Sequence, residues 1–179
     1  MKFNFSPFPE LLTERLILRQ ITSCDCPQIL FLRSDEEVNA FIKRPAPNDL
    51  KDAELFLEKI SKGVKNKALI YWGIALKEPP EMIGSICLWN FSTAAKKVEI
   101  GYDLNPKFQN LGIMTEAMKA VLEYGFQELQ AKTIEAFTHY QNENSIKLLQ
   151  KNGFSIVPNK KDPDNVDNIV FSLKSTNKD

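Results

Sequence analysis

One stretch, residues 105–128, constrains the fold more than any other part of the sequence, because a short polar loop in it runs directly into a long amphipathic helix. Apolar residues recur across it at the spacing of one helix face, and charged residues occupy the opposite face. Strand-like runs flank it at residues 97–104 and 133–138. A helix that joins two strands is a crossover, so we predict an α/β domain in which the second strand lies parallel to the first or splays away from it.

The loop before this helix has the properties of an anion-binding site. The first backbone N–H groups of a helix are unpaired and carry partial positive charge, so they attract phosphate oxygens. Gly112 allows a positive φ or a close backbone approach, and Thr115 adds a hydroxyl group. We interpret the loop as a pyrophosphate cradle, with a purely structural junction as the alternative. The residues assigned to this cradle are Gln109, Asn110, Leu111, Gly112, Ile113, Met114 and Thr115.

The composition predicts one globular domain over residues 1–179, with a core at about residues 10–173 and a loose tail after it. Hydrophobic residues make up 43% and charged residues 26% of the chain, and the formal net charge is zero. A neutral chain has no broad attraction to nucleic acid or to an anionic membrane, so any anion site has to be local. No apolar run approaches the length of about 20 residues that a membrane span needs.

Cysteine usage favours a reducing compartment. Three cysteines, two of them separated by a single residue, do not form a disulfide framework. His139 is the single histidine of the chain, so we do not expect a metal site. Pro7 and Pro9 break up the apolar residues at the start of the sequence, which argues against a secretory signal. We therefore expect a cytoplasmic protein.

Turn and capping signals divide the rest of the chain into further elements. Side chains suited to helix N-caps precede predicted helices at residues 22–33, 53–60 and 142–152. Strand-like runs lie at residues 15–19, 68–76, 82–91, 97–104, 133–138, 155–157 and 166–173, with a loop at 159–165. Short connections between the second, third and fourth runs predict an antiparallel meander.

Three motifs in this order resemble those of one known family. They are Thr13-Glu14-Arg15-Leu16, Gln109-x-x-Gly112-x-Met114, and Asn142-x-x-Ser145 followed by Gly153-Phe154. Together they resemble the GNAT N-acyltransferases, in particular the ribosomal-protein N-terminal alanine acetyltransferases of the RimJ/RimL type. The second motif is similar to the Gln/Arg-x-x-Gly-x-Gly/Ala loop that binds the pyrophosphate of coenzyme A. Asn110 and Leu111 replace the Gly-Lys pair common in this branch, which removes one basic contact to phosphate.

The resemblance implies a fold and a reaction. The fold is the GNAT acyl-CoA N-acyltransferase fold, a mixed, mostly antiparallel sheet of seven strands, splayed at its central strands and flanked by about four helices. The reaction is direct transfer of an acetyl group from acetyl-CoA, without a metal, to a primary amine. A proton acceptor is needed, because a free α-amine has a pKa of about 8 and a lysine amine about 10.4. Donors are also needed for the thioester oxygen and the leaving thiolate.

Glu99 is the leading candidate for the proton acceptor. Strand alternation places Glu99, Gly101 and Asp103 on one face, and Gly101 leaves room for a substrate beside the Glu99 carboxylate. The family places a carboxylate on this strand, often acting through a water. Asp103 is the second candidate. The alternative interpretation of Glu99 is a solvated glutamate without a catalytic role.

The resemblance also assigns residues to the pantetheine arm and to the thiol. The backbone implied to pair with pantetheine as an added strand is that of Tyr102, Asp103 and Leu104. Asn142 is implied to contact pantetheine, and Ser145 to donate a hydrogen bond to the departing thiolate. Either side chain is also suited simply to cap the helix. Many members place a tyrosine acid four residues after Ser145, where this chain has Leu149.

The acceptor and the wider role stay open at this point. The amine is the N-terminus of a protein, with ribosomal proteins as the precedent, or a small molecule such as a polyamine or an aminoglycoside. A catalytically silent acyl-CoA-binding module that regulates a partner is the alternative from another class. Dinucleotide binding is disfavoured, because the loop lacks the Gly-x-Gly-x-x-Gly pattern. We expect a monomer or a homodimer.

Overall fold

An eight-stranded mixed sheet organises the chain, with strand order β1-β2-β3-β4-β5-β6-β8-β7 in the computed structural model, which describes residues 1 and 4–176. The strands are β1 (Leu11–Leu12), β2 (Leu16–Gln20), β3 (Leu69–Leu76), β4 (Met82–Ser92), β5 (Lys97–Leu104), β6 (Thr133–His139), β7 (Ser155–Lys161) and β8 (Asn168–Lys174). The α-helices are α1 (Cys26–Ser34), α2 (Glu36–Asn39), α3 (Leu50–Lys65), α4 (Ile113–Gln127) and α5 (Glu143–Lys151). The predicted mixed, mostly antiparallel architecture is confirmed.

The pairing of β5 with β6 is parallel, and it follows from the crossover helix α4. Val98 lies opposite Ile134 and Ile100 lies opposite Ala136, and the pairing ends there. Beyond that point β6 continues along β8, while residues 101–104 of β5 stay paired with β4. The two central strands therefore diverge, as predicted.

The predicted number of seven strands is wrong by one, because the chain forms the additional short strand β1. Leu11 and Leu12 pair antiparallel with Leu18 and Ile17. A tight turn joins the two strands. A two-residue strand is too short to show alternation, so the sequence pattern does not separate it from the loop before it.

The loop predicted at residues 159–165 is partly strand, since β7 extends through Lys161. The pairing of β7 with β8 carries a register shift that accommodates the extra residues. Lys160 anchors this end of β7, because its Nζ lies 2.6 Å from Oε2 of Glu135 on β6. The physical reason for the error is therefore an ion pair between distant parts of the chain, which a local polar composition does not show.

Two other predicted boundaries also differ. Helix α3 extends well beyond the predicted residues 53–60, and Asp49 caps its N-terminus. Strand β8 continues to Lys174, which the sequence assigned to the loose tail. Residues 177–179 of that tail lie outside the described part of the chain.

Helices cover both faces of the sheet. Helix α4 crosses close to β6, and a Cβ at Gly125 would lie 2.9 Å from Cδ1 of Ile134, so this approach requires glycine. On the opposite face, Phe56 of α3 contacts Tyr71 of β3 edge-on, with ring centroids 5.8 Å apart. Alternation along β5 then directs its odd-numbered residues toward the α1/α3 layer and its even-numbered residues toward the α4/α5 layer.

Candidate active site

The divergence of β5 from β6 creates an open strand edge at the centre of the sheet. Within the described residues, the backbone at 101–104 pairs with β4 alone. This edge includes the predicted pantetheine-binding residues Tyr102, Asp103 and Leu104. An exposed strand edge presents N–H and C=O groups to an extended ligand, so the edge is suited to an added strand of amide groups.

The predicted phosphate loop follows this edge and ends at the start of α4. Gly112 has a φ of 77° and Asn110 a φ of 60°, so two left-handed residues turn the loop before the helix begins at Ile113. Successive amides in such a turn form a concave anion-binding surface. No side chain in the described part of the chain caps α4, which leaves its first-turn amides available for an anion.

The other cradle residues have distinct surroundings. Gln109 folds back along the loop, with its Nε2 donating to the Leu104 carbonyl at 3.4 Å. Leu111 is 57% exposed, whereas Ile113 and Met114 are buried. Thr115 is half-buried and lines a cleft of about 540 Å³. The loop therefore offers backbone amides and the Thr115 hydroxyl to a ligand, since Ile113 and Met114 belong to the core.

The first-turn residue Glu116 joins the loop to the Thr13–Arg15 turn at the far end of the chain. Thr13 Oγ1 donates to Glu116 Oε1 at 2.6 Å, and the Arg15 backbone N–H donates to the same oxygen at 2.8 Å. Arg15 Nε donates to Glu116 Oε2 at 2.7 Å, and Arg15 Nη1 donates to the Leu111 carbonyl at 3.0 Å. Partial burial acts to raise the pKa of Glu116, but the hydrogen bonds from Thr13 and Arg15 outweigh it and leave the pKa below its usual value.

This contact gives the Thr13-Glu14-Arg15 motif a structural role that the sequence did not reveal. The guanidinium of Arg15 also approaches the cradle, because a Cβ at Gly112 would lie 3.5 Å from Arg15 Nη2. The cleft beside Thr115 is lined in addition by Lys119 and Lys151 and by Glu14, Glu116 and Glu123, so charges of both signs lie near the loop. The joint presence of the first two family motifs was the signal that could have linked them.

Glu99 lies in the α1/α3 layer, next to the point of divergence. Glu99 is only 8% exposed, so the alternative interpretation of Glu99 as a solvated glutamate is wrong. Asn90 Nδ2 donates to Glu99 Oε1 at 2.6 Å. Burial raises the pKa of Glu99, and the hydrogen bond from Asn90 opposes that rise without cancelling it. Such an environment favours a carboxylate that accepts a proton readily.

Gly101 lies on the same face of β5 as Glu99. It pairs with Cys87, and a Cβ on it would lie 3.3 Å from Cys87 Sγ. Trp89, the partner of Glu99 on β4, is 47% exposed. An exposed indole ring therefore lies beside Glu99.

Two neighbours of Glu99 were missed by sequence reasoning. Asn90 adopts a φ of 49° at a register shift in β4, and no local sequence pattern predicts that shift. Glu135 lies opposite Glu99 on β6 and is 6% exposed. Lys97 and Lys160 contact the Glu135 carboxylate at 2.9 Å and 2.5 Å. Burial acts to raise the pKa of Glu135, but these two lysines outweigh it and lower the pKa.

Asp103, the second predicted proton acceptor, is held by other side chains. Arg44 Nη1 and Nη2 each lie 3.2 Å from Asp103 Oδ2, and Ser85 Oγ donates to Oδ1 at 2.5 Å. Both carboxylate oxygens are therefore occupied. The ion pair also holds the loop at residues 41–47, which contains Pro45 and Pro47, against β5. In this loop, Phe41 contacts His139 with ring centroids 5.3 Å apart.

Asn142 and Ser145 lie at the start of α5, in the layer opposite Glu99. Asn142 Oδ1 accepts from the Ser145 backbone N–H at 3.1 Å, so Asn142 caps the helix. Ser145 Oγ lies 2.8 Å from the hydroxyl oxygen of Tyr102. Burial raises the pKa of Tyr102 to about 12. Leu149, four residues after Ser145, is buried.

Other kinds of site are not indicated in the described part of the chain. It contains no group of three or more His, Cys, Asp or Glu side chains able to hold a metal ion. None of its helices combines the length and apolar character needed to cross a membrane.

Comparison with known sequences identifies a family and several relatives. The family model for the acetyltransferase (GNAT) domain matches residues 15–155. The uncharacterized N-acetyltransferase YoaA of Bacillus subtilis (strain 168) is 33% identical over 147 residues, which cover 82% of this chain and 83% of YoaA.

Comparison with solved structures finds the same fold. The ribosomal-protein-S5-alanine acetyltransferase from Vibrio fischeri has a TM-score of 0.80 at 20% identity, covering 94% of this chain and 97% of its own. The microcin C7 self immunity acetyltransferase MccE, solved with acetyl-CoA and AMP, has a TM-score of 0.77 at 19% identity. That superposition covers 91% of this chain and 94% of MccE.

Proposed function

The chain belongs to the GNAT acetyltransferase family, and from that premise we propose that it transfers the acetyl group of acetyl-CoA to a primary amine, with Glu99 as the proton acceptor. The observation that carries this proposal is the open edge at residues 101–104, bordered by a buried carboxylate and followed by the Gly112 loop. A buried carboxylate beside that edge favours this proposal over a non-catalytic acyl-CoA-binding module.

The residues present fit acetyl-CoA. The left-handed turn at Asn110 and Gly112 aims amides at a diphosphate, and Thr115 adds a hydroxyl. The edge at Tyr102–Leu104 offers N–H and C=O groups to pantetheine amides. Lys119 and Lys151 in the neighbouring cleft offer ammonium groups to the remaining phosphate, and Glu14, Glu116 and Glu123 line the same cleft. Bound acetyl-CoA would supply the activated acyl group as a thioester.

Glu99 and Ser145 act from opposite layers of the sheet. Glu99 accepts the proton that the amine loses as its nitrogen forms a bond to the thioester carbon. Its raised pKa improves its match to this task. Ser145 donates a hydrogen bond to the sulfur as the carbon–sulfur bond breaks, which stabilises the developing thiolate.

We favour the N-terminal amine of a protein as the acceptor. An α-amine has a pKa of about 8, so its deprotonation demands less of a carboxylate base than a lysine or polyamine amine near 10.4. The Vibrio fischeri protein of the same fold acts on an alanine of ribosomal protein S5. A small-molecule amine is the second candidate, because MccE, which has the same fold, was solved in complex with acetyl-CoA and the small molecule AMP.

The compartment and the assembly belong to the same proposal. Cys24, Cys26 and Cys87 are free thiols, which fits a reducing cytoplasm. We propose a monomer or a homodimer, which the molar mass measured by light scattering after gel filtration would distinguish. A larger assembly would contradict this part of the proposal.

An acetyl-transfer screen tests the function. The purified protein is mixed with acetyl-CoA and peptides of different N-termini, polyamines or aminoglycosides, and coenzyme A release and product mass are measured. We expect transfer to at least one peptide N-terminus, and a loss of 10²-fold or more in Glu99→Gln, the usual scale for a general base. Glu54→Gln, an exposed change on α3, is the matched control. Coenzyme A binding without transfer to any amine would instead support the silent module.

A further inference from the structure

We propose that Tyr102 is a positioning residue for the leaving group: its hydroxyl donates to Ser145 Oγ and thereby directs the Ser145 proton at the coenzyme A sulfur. This inference rests on the proposed function, since it concerns the same site. Sequence reasoning gave Tyr102 only a backbone role and found leucine where many relatives have a tyrosine acid. The fold instead brings a tyrosine hydroxyl to Ser145 from the neighbouring strand.

The geometry of the two hydroxyls supports a fixed pair. The oxygens are 2.8 Å apart, a normal length for an O–H···O hydrogen bond. Tyr102 lies on β5 among the residues of the open edge, and Ser145 lies in the first turn of α5. The backbone of Ser145 is itself held by the Asn142 cap at 3.1 Å. Both members are thus anchored by regular secondary structure on the two sides of the divergence.

The direction of the hydrogen bond follows from the proton count. Each hydroxyl has one proton, and either oxygen can donate when the pair is alone. When Ser145 donates to a thiolate, its proton is no longer available to Tyr102, so Tyr102 has to be the donor within the pair. Burial raises the pKa of Tyr102 to about 12, which keeps that proton in place at neutral pH. Hydrogen bonds arranged in such a chain strengthen one another.

The same pKa argues that the pair donates hydrogen bonds rather than a proton. A thiol has a pKa of about 8.5, so a phenol whose pKa is about 12 does not transfer its proton to the sulfur on balance. In the balanced step, nitrogen bonds to the acetyl carbon, the carbon–sulfur bond breaks, and sulfur keeps the electron pair. The amine proton goes to Glu99, and the thiolate takes a proton from solvent after release.

A binding experiment tests the inference without any acceptor. The dissociation constants of coenzyme A and of desulfo-coenzyme A, which lacks the sulfur, are measured by calorimetry near pH 9.5, where the thiol is largely ionised. We expect the wild type to prefer coenzyme A by about tenfold, the scale of a charge-assisted hydrogen bond. Ser145→Ala should lose the preference. Tyr102→Phe should reduce it about fivefold while its affinity for desulfo-coenzyme A stays unchanged.

A kinetic experiment separates positioning from a structural role. Tyr102→Phe should lower kcat about tenfold with little change in the KM for acetyl-CoA, because only the departing thiolate receives the directed proton. The double variant Tyr102→Phe with Ser145→Ala should be no slower than Ser145→Ala alone, since the phenol acts only through the serine. Tyr124→Phe is the matched control, because Tyr124 is also a buried tyrosine with a pKa raised to about 12.

Each contrary result has a distinct meaning. An undiminished preference for coenzyme A in Tyr102→Phe, or independent losses in the double variant, would overturn the role of Tyr102 while leaving the acetyltransferase proposal intact. Transfer to no amine, together with the expected binding differences, would overturn the proposed reaction but support the hydroxyl pair. Failure of the wild type to bind coenzyme A would overturn both.

Discussion

Replacing Glu116 with alanine tests whether the contact between the N-terminal turn and the phosphate loop supports both fold and binding. The carboxylate accepts three hydrogen bonds, at 2.6, 2.8 and 2.7 Å, from Thr13 and Arg15. Bonds to charged groups contribute about 1.5–3 kcal/mol each when well shielded. The Arg15 side chain is 44% exposed, so water replaces much of the interaction that the guanidinium loses when the Glu116 carboxylate is removed. The ion pair between the two side chains therefore contributes about 0–1 kcal/mol.

We therefore expect Glu116→Ala to lower the free energy of unfolding by about 2 kcal/mol, less than the simple sum. For a domain of this size, that corresponds to a melting temperature lower by about 4–8 °C. Release of Arg15 also frees the Leu111 carbonyl, which it holds at 3.0 Å. Coenzyme A affinity should consequently fall by about three- to tenfold, since the loop loses a fixed conformation.

Urea unfolding at several pH values, with calorimetric binding of coenzyme A, provides the assay. Because the pKa of Glu116 is lowered in the fold, its stabilisation is present above the unfolded value of 4.5 and is lost as pH falls through the folded value. The difference between wild type and Glu116→Ala should thus shrink in acid. Gln127→Ala, at an exposed position at the opposite end of the same helix, is the control. Equal stability losses in the two variants, or unchanged coenzyme A affinity in Glu116→Ala, would refute the reasoning.

Three further predictions concern Glu99, Asn90 and Gly112. The fold raises the pKa of Glu99, so the contribution of Glu99 to stability is complete below pH 4.5 and declines as the pH rises through its pKa in the folded protein. Glu99→Gln should therefore melt at a higher temperature than the wild type at about pH 7 but not below pH 4.5. A lower melting temperature of this variant at neutral pH would contradict the prediction. Asn90→Gly preserves the backbone φ of 49° and removes the hydrogen-bond donor that lowers the pKa of Glu99. The acidic limb of the pH profile of kcat/KM should therefore move to higher pH. An unchanged acidic limb would show that Glu99 is not the titrating base. Gly112→Val should lower the free energy of unfolding by about 1–2 kcal/mol, because valine is strained at a φ of 77°. The variant should also lose the rise in melting temperature that coenzyme A causes, and Gly112→Ala is the control for strain alone. A full rise in the valine variant would mean that the phosphate binds elsewhere.

The elements that could be predicted from the sequence are those with a local signal. Helix α4 and its glycine-containing loop follow from periodicity and turn chemistry within 24 residues of chain, residues 105–128. The placement of Glu99 on a strand face follows from period-two alternation. Strand β1 gave no such signal, because two residues have no period.

The contacts that could not be predicted join residues far apart in the chain. Arg15 meets Glu116 across 101 positions, and Arg44 meets Asp103 across 59. Tyr102 and Ser145 meet across 43 positions. Each contact depends on which strands become neighbours, so residue spacing alone does not reveal it. For Asp103, this changes a candidate base into a residue engaged by a guanidinium.

The sheet acts as a partition between the two halves of the proposed chemistry. Glu99, Gly101 and Trp89 lie in one layer, whereas Tyr102 and Ser145 lie in the other, and β5 diverges from β6 between them. Under the proposed function, a substitution in the layer of Glu99, on the side of the amine, would leave the layer of Tyr102 and Ser145, on the side of the sulfur, undisturbed. In the proposed reaction, the choice of amine and the release of coenzyme A are therefore open to separate alteration, by substitutions in different layers.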